Sequence, residues 1–324
     1  MTRKLIGGLA AGFAMLAGAA MAQDYPTRQI TMIVPFSAGG PTDTVARLVA
    51  ESMSRDLGQQ VIIENVGGAG GTLGAGRVAT ADPDGYTLLL HHIGMATSAT
   101  LYRKLAYDTL GDFEYVGLVT EVPMTIVSRK DMEAADLKGL ISYVKEHADE
   151  VTLANAGIGA ASHLCGMMFM SAIDTPLVTV PYKGTGPAMT DLLGGQVDLM
   201  CDQTTNTTQQ IKGGTIKAYA VTSPERLAIF PDLPTASEAG LDGFTVGIWH
   251  GIYSPKGTPA AINVRLSVSL QKALADPNVI ARFAELGTTP SSAAEATPAA
   301  LKEKLETEIA RWKPVIEAAG VYAD

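Results

Sequence analysis

Apolar positions in this chain come in short unbroken runs more than in strict alternation. Residues 30–34, ITMIV, end at Pro35 and lack the every-second-residue polarity of a half-exposed strand, which predicts a strand buried on both faces. Residues 37–40 follow with almost no side-chain bulk. Val45, Leu48, Val49 and Met53 then share one face of a helix starting at Pro41 or Thr42. The rhythm continues with a strand at 60–65, a glycine-rich run at 67–76 leading into 77–81, a turn at 82–85 and a strand at 86–91. Strand–helix–strand–helix–strand is the pattern of a parallel α/β sheet.

The pattern recurs from Val151. A strand at 151–154 meets a small-residue loop, NAGIG, at 155–159 and a helix at 160–172. A strand at 177–180, a glycine-rich turn at 184–187, a helix at 188–193 and a strand at 197–201 complete the same five-element order. Between the two sets, 94–113 is less regular, strands at 114–120 and 124–127 flank Pro123, and Asp136 is placed to cap a helix bearing Leu137, Leu140, Ile141 and Val144. After them come a strand at 215–221, a rigid loop at 231–234 and an apolar stretch at 244–253. A helix capped by Thr258 and Pro259 and broken at Asp276-Pro277 follows, then a last helix with Leu301, Leu305, Ile309, Trp312 and Ile316 on one face. Two α/β lobes result: 23–122 with 247–324, and 123–246. Crossings near 120–124 and 244–249 leave a cleft between them. Ligands of such sheets bind beyond the carboxyl ends of the strands, where both small-residue loops lie.

The first residues stand outside this pattern. Arg3 and Lys4, an apolar stretch at 5–19 and Ala20-Met21-Ala22 form a signal peptide, with a mature chain expected from Gln23 and export as a soluble protein. A membrane anchor is the alternative, though the run is short for a span. At 324 residues, 47% apolar and 18% charged, the chain can bury one large core or two medium ones, and a net charge of −9 argues against nucleic acid. Cys165 and Cys201 are the only cysteines; export permits a bridge, but two scattered cysteines read more readily as buried thiols.

The candidate chemistry is anion binding. Ser37, Gly39, Gly40, Thr42 and Asp43 sit where a bare loop enters a helix and leaves N–H groups uncovered, with Asp43 organising the loop. The rival reading is a tight, capped connection. Residues 155–163, NAGIGAASH, offer N–H and hydroxyl donors through their glycines and Ser162, with His163 capping or contacting, and carry the same rival reading. Lys183 is placed to pair with an anion or to stay solvated. Asp202 is placed to bind ligand hydroxyls, amines or water, or to cap the turn before 204–208. His92 and Trp249-His250 face a cleft or pack.

Several chemistries are disfavoured. Residues 74–79 match the dinucleotide fingerprint G-x-G-x-x-A but begin nine residues after the strand ends, and no P-loop occurs. No G-x-S-x-G elbow or serine–base signature supports a hydrolase. The histidines are dispersed, with His91 and His92 expected on opposite strand faces, so no metal or other cofactor is expected.

VPFSAGGPTDTVAR, NVGGAGGTLGA, DPDGYTL, NAGIGAASHL, VPYKGTGPA with LLGGQVDLM, and WHGIYSPKGTP together resemble the Bug family, the solute-binding proteins of tripartite tricarboxylate transporters. The resemblance runs over essentially the whole mature chain. It implies a non-enzymatic, two-lobed periplasmic binding protein of the type II, Venus-flytrap kind, with parallel-dominated sheets and helices on both faces. It implies a small carboxylate, dicarboxylate or aromatic, as ligand, and a large and a small integral membrane component as partners. A monomer is expected, and a ligand-presenting sensor is the alternative role. Carried onto this sequence, the ligand loops are 36–43 and 155–163. Phe36 is then placed to shield the ligand, and Ala38, Ala156, Gly157, Ile158 and Gly159 to contribute backbone. The family often has proline where Ala38 stands, and Cys201-Asp202-Gln203 departs from the usual apolar-Asp-Asn.

Overall fold

The computed structural model describes residues 25–323, so the expected signal peptide at 1–22 lies outside the described residues. Among those described, no helix is long and apolar enough to cross a membrane.

The first run, β1 (Ile30–Val34), feeds α1 (Pro41–Leu57), β2 (Val61–Asn65), α2 (Thr72–Ala79) and β3 (Thr87–His92). β1 pairs in parallel with β2 on one side and β3 on the other, giving the order β2-β1-β3. Its residues are buried on both faces, as the unbroken apolar run requires. Met32 and Val34 pack with Val45, Val49 and Met53 of α1, while Ile33 packs with Ala75 and Val78 of α2.

After α3 (Gly94–Leu101), β4 (Phe113–Arg129) and α4 (Leu137–Glu146), the order repeats in β5 (Thr152–Asn155), α5 (Ala161–Ala172), β6 (Val178–Pro181), α6 (Thr185–Leu193) and β7 (Leu199–Gln203). β5 lies between β6 and β7, again in parallel, so the repeat extends to strand order. The chain closes with α7 (Thr204–Lys212), β8 (Ile216–Val221), β9 (Gly247–Pro255), α8 (Ala260–Leu274), α9 (Pro277–Glu285), β10 (Thr289–Pro290) and α10 (Pro298–Ala319). Asp136 caps α4 as expected, accepting from the Gly139 N–H at 2.7 Å.

Between the two parallel triplets the ladders are antiparallel. The two strands expected around Pro123 are one, β4, which pairs with β9 through Pro123 and with β7 and β8 from Met124 or Thr125 onward. Proline lacks an N–H, yet it is accommodated because it stands at the last register position against β9.

Four further expectations are corrected. Cys165 and Cys201 form a disulfide, because α5 packs across β7 and brings the two Cα atoms to 5.9 Å. The glycine-rich turn at 184–187 is the first turn of α6, where Pro187 needs no intrahelical donor. No turn precedes residues 204–208: β7 runs to Gln203 and α7 begins at Thr204. Thr258 does not cap α8; its hydroxyl donates back to the Pro255 carbonyl at 2.8 Å.

Candidate functional site

Four helices begin around one small cavity. Pro41 and Thr42 of α1, Ala161 and Ser162 of α5 and Thr185 of α6 line it, as does Gln203 immediately before α7. Phe36, His92, Ala156 and Asp202 complete the wall of a space of about 10 Å³, room for roughly one water. First-turn N–H groups have no acceptor inside their own helix, and each helix adds a partial positive charge at that end. The parallel strands β1, β5 and β7 end here, so the strand order that places their helices also aims the helix starts at one point.

The first loop is shaped by Asp43. Its carboxylate accepts from the Gly39 N–H at 3.0 Å, from Arg47 at 2.9 and 3.0 Å and from the Asn65 amide at 2.9 Å. Burial raises its pKa, but these hydrogen bonds outweigh burial and hold it below the usual carboxylate range. Asp43 is therefore committed to the loop. Asn65 also donates to the Phe36 carbonyl, fixing the aromatic ring's backbone. Gly40 is buried and its carbonyl accepts from Thr44, while Ala38 and Gly39 are exposed.

The second loop uses several of its own donors. Ala156 N–H donates to Ser162 Oγ at 2.8 Å, Gly157 N–H to Asn155 Oδ1 at 2.9 Å and Gly159 N–H to His163 Nδ1 at 3.3 Å. Burial lowers the His163 pKa, in keeping with an imidazole that accepts. What this loop turns toward the cavity is the start of α5 rather than the glycine amides.

The two loops meet. Ser37 sends its N–H and hydroxyl to the Lys183 carbonyl, Tyr102 donates to the Ile158 carbonyl at 2.8 Å, and Thr97 to the Gly159 carbonyl at 3.0 Å. Contact is closest at Gly70, where a Cβ would stand 1.9 Å from the Ile158 oxygen, and at Gly186, where one would stand 2.7 Å from the Ala38 oxygen. Ser37, Gly157, Ile158 and Lys183 line an outer groove of about 670 Å³ instead of the inner cavity. The Lys183 side chain is exposed, so its backbone carbonyl is the part that engages the first loop. Gly70, Thr97, Tyr102 and Thr185 are not singled out from sequence, where Gln203 enters only as a departure from the family's asparagine; the glycine run around Gly70 is the other signal available.

Below Phe36 lies a histidine cluster. His91 and His92 do not diverge as strand neighbours would. Their ring centroids are 5.0 Å apart because β3 ends at His92, and His91 Nδ1 accepts from the His92 N–H. Phe36 stacks on His92 at 4.6 Å, and His250 lies 5.8 Å further on. His92 Nδ1 accepts from Gly94 N–H, so the neutral ring carries its proton on Nε2. Burial, reinforced by the neighbouring imidazoles, pushes His91 down to about 3 and His92 well below its ordinary value; burial pushes His250 down to about 3. Thr42 Oγ1 sits 3.4 Å from His250 Nε2, tying α1 to this layer. Trp249 is buried in β9 and is not among the residues lining the cavity.

Asp202 is 1% exposed, and its Oδ2 accepts from the Asn206 amide. Burial pushes its pKa up to about 6, against hydrogen bonds from Asn206, the Gln203 backbone and the Thr185 hydroxyl. The dinucleotide-like residues 74–79 lie inside α2, where Gly74 meets Pro35 rather than an open phosphate loop.

Residues 45–321 match the tripartite tricarboxylate transporter family receptor, TctC. The chain belongs to this family. A UPF0065 protein of Agrobacterium vitis is 57% identical to this receptor over 302 residues, 93% of this chain and 87% of the relative. Among solved structures, the periplasmic binding protein BugD is 54% identical at a TM-score of 0.91, covering 93% of this chain and all of that one. MatC from Rhodopseudomonas palustris, with bound malate, is 43% identical at 0.87, covering 90% of this chain and 100% of the other. A further R. palustris protein, with adipate, is 33% identical at 0.87, covering 92% and 99%. This receptor is thus a Bug/TctC-like solute-binding protein with the fold of periplasmic binding proteins.

Proposed function

We propose that this receptor captures a small carboxylate between its two loops in the periplasm and delivers it, as a monomer, to the integral membrane components of a tripartite transporter. The convergence of four helix starts on one cavity carries the reading. Dipoles and free N–H groups favour an anion there without a lysine or arginine in the wall. The malate and adipate held by two similar proteins support the same ligand class. In this reading the lobes are 23–122 with 247–324, and 123–246, and they part and close about β4 and β9. Closure removes the carboxylate from water and fixes the first loop through Ser37 and the second through Gly70, Thr97 and Tyr102, giving the membrane partner one surface to recognise. The protein is a carrier rather than a catalyst.

A thermal-shift screen over dicarboxylates, tricarboxylates, aromatic acids and nicotinate-like compounds tests the reading. A ligand present at 100 times its Kd adds about 2.7 kcal/mol of stability, which a melting curve resolves. A saturating acid should raise Tm and compact the protein in solution scattering. If no carboxylate raises Tm, the reading fails.

A further inference from the structure

The buried face of α7 holds no aliphatic side chain. Its buried residues are Thr204, Thr205, Thr207 and Thr208, and Thr204 and Thr208 are 0% exposed. A helix face in a permanent core is ordinarily aliphatic. Thr207 turns into its own lobe, where its hydroxyl meets that of Thr125 in β4 at 2.9 Å. Thr204, Thr208 and Lys212, spaced at i, i+4 and i+8, form a stripe against residues 285–287, which belong to the other lobe as divided above. Thr208 Oγ1 donates to the Leu286 carbonyl at 3.3 Å and Lys212 Nζ to the Glu285 carbonyl at 3.4 Å, at the open end of α9. A Cβ on Gly287 would stand 3.4 Å from Thr204 Cβ and 2.5 Å from Ile229 Cδ1, so Ile229 joins the same contact. None of these side chains lines the inner cavity or the outer groove.

The contact is made largely of groups that water can replace. Thr204 Oγ1 has no hydrogen-bond partner among the described residues. Buried, that hydroxyl forfeits its solvation; uncovered, it regains it. The carbonyls of α9 and the groups that cap them exchange protein bonds for water bonds at little net cost. Ile229 works the other way, since it buries apolar area against Gly287 only where the lobes meet. We propose that this stripe of α7 is a second contact between the lobes, made and broken with the cleft, and that Thr204 and Ile229 are positioning residues that set ligand affinity without touching the ligand. The hydroxyl holds closure back and the isoleucine favours it. This rests on the opening and closing proposed above.

Spin labels at Ser142→Cys and Glu303→Cys, exposed in α4 of one lobe and α10 of the other, report the separation of the lobes by pulsed electron resonance. In the unliganded protein Thr204→Val, which keeps the side chain's shape and removes the hydroxyl, should raise the closed-to-open ratio by about tenfold. Ile229→Ala should lower it by about fivefold or more. Affinity for malate and adipate should follow in calorimetry, tighter in the first variant and weaker in the second by similar factors, with release slowed and hastened to match. A merely structural role would move Tm and leave the ratio and the release rate alone. The two variants act in opposite senses, so if one fails to fold the other still decides. A ratio and a release rate unmoved in the folded variants would overturn the inference, as would a lobe separation that a saturating acid does not change in the wild type. Heat from malate or adipate in either of those cases would leave the carboxylate function standing. Heat from neither acid would count against that function, while the unliganded ratio would still decide this inference.

Discussion

The N–H and the hydroxyl of Ser37 end on a single oxygen, the carbonyl of Lys183, at 3.0 and 3.2 Å. One residue of the first loop thus holds the connection between β6 and α6 by a forked bond. Ser37→Ala removes the hydroxyl and keeps the N–H. A typical net hydrogen bond of about 1 kcal/mol predicts roughly fivefold weaker ligand binding, expressed as faster release. Stopped-flow release kinetics measure it. A loss beyond about a hundredfold would instead make Ser37 a direct ligand contact.

Gly70 makes the closest approach to the second loop, with φ at +60° and the Ile158 oxygen 1.9 Å from where a Cβ would stand. Gly70→Ala pushes the second loop away from the glycine-rich run. Affinity for the cognate acid should fall by about a hundredfold or more while Tm without ligand changes by less than about 3 °C. Calorimetry paired with scattering checks both. Tight binding with full compaction in this variant would show that the contact does not belong to the binding-competent form.

The Cys165–Cys201 bridge closes a loop across 36 positions, and chain entropy predicts about 4 kcal/mol of stabilisation. It also ties α5, whose start carries Ser162, to β7, which ends beside Asp202. Full reduction, verified by thiol titration, should lower Tm by roughly 5–10 °C. An unchanged Tm would place the stability elsewhere.

His91 and His250 are held at about 3 in the fold, and His92 is also held well below the ordinary histidine value of about 6.5. The unfolded chain then binds more protons than the fold between about pH 6.5 and 3, so their contribution is full above pH 6.5 and is lost as pH falls through this window. Asp202, raised to about 6, acts in the opposite sense: its contribution is present at low pH and lost as pH rises through 6. Three histidines outnumber one aspartate, so Tm should drop by about 5 °C or more between pH 7 and 5. His250→Gln should flatten that drop. A Tm that rises on acidification would contradict the neutral, buried cluster.

Sequence made the architecture legible where apolar runs and helical period agree. β1, α1 and the repeat at β5 and α5 follow from patterns that few alternatives fit. Pro123 misled because a proline reads as a strand end, while its register position at the close of one ladder makes it harmless. The disulfide was hidden because adjacency of Cys165 and Cys201 depends on how a helix crosses a strand. At the site, bare loops before helices mark the helix starts that converge on the cavity. What could not be read was how each loop spends its own donors: Ser162 and His163 take the N–H groups of Ala156 and Gly159, and Asp43 takes that of Gly39. Such bonds depend on side-chain geometry, not residue type.

One feature of the fold sets how the halves move and how they fail. β4 is a single 17-residue strand that is paired in one half up to Pro123 and in the other from Met124. In the opening proposed above, this strand acts as a torsion bar, the motion being a twist shared along it and not a swing on a slack tether. Neither half can unravel without stripping one end of a strand the other half still holds. Heating should therefore yield one calorimetric transition, with the calorimetric and van't Hoff enthalpies in agreement.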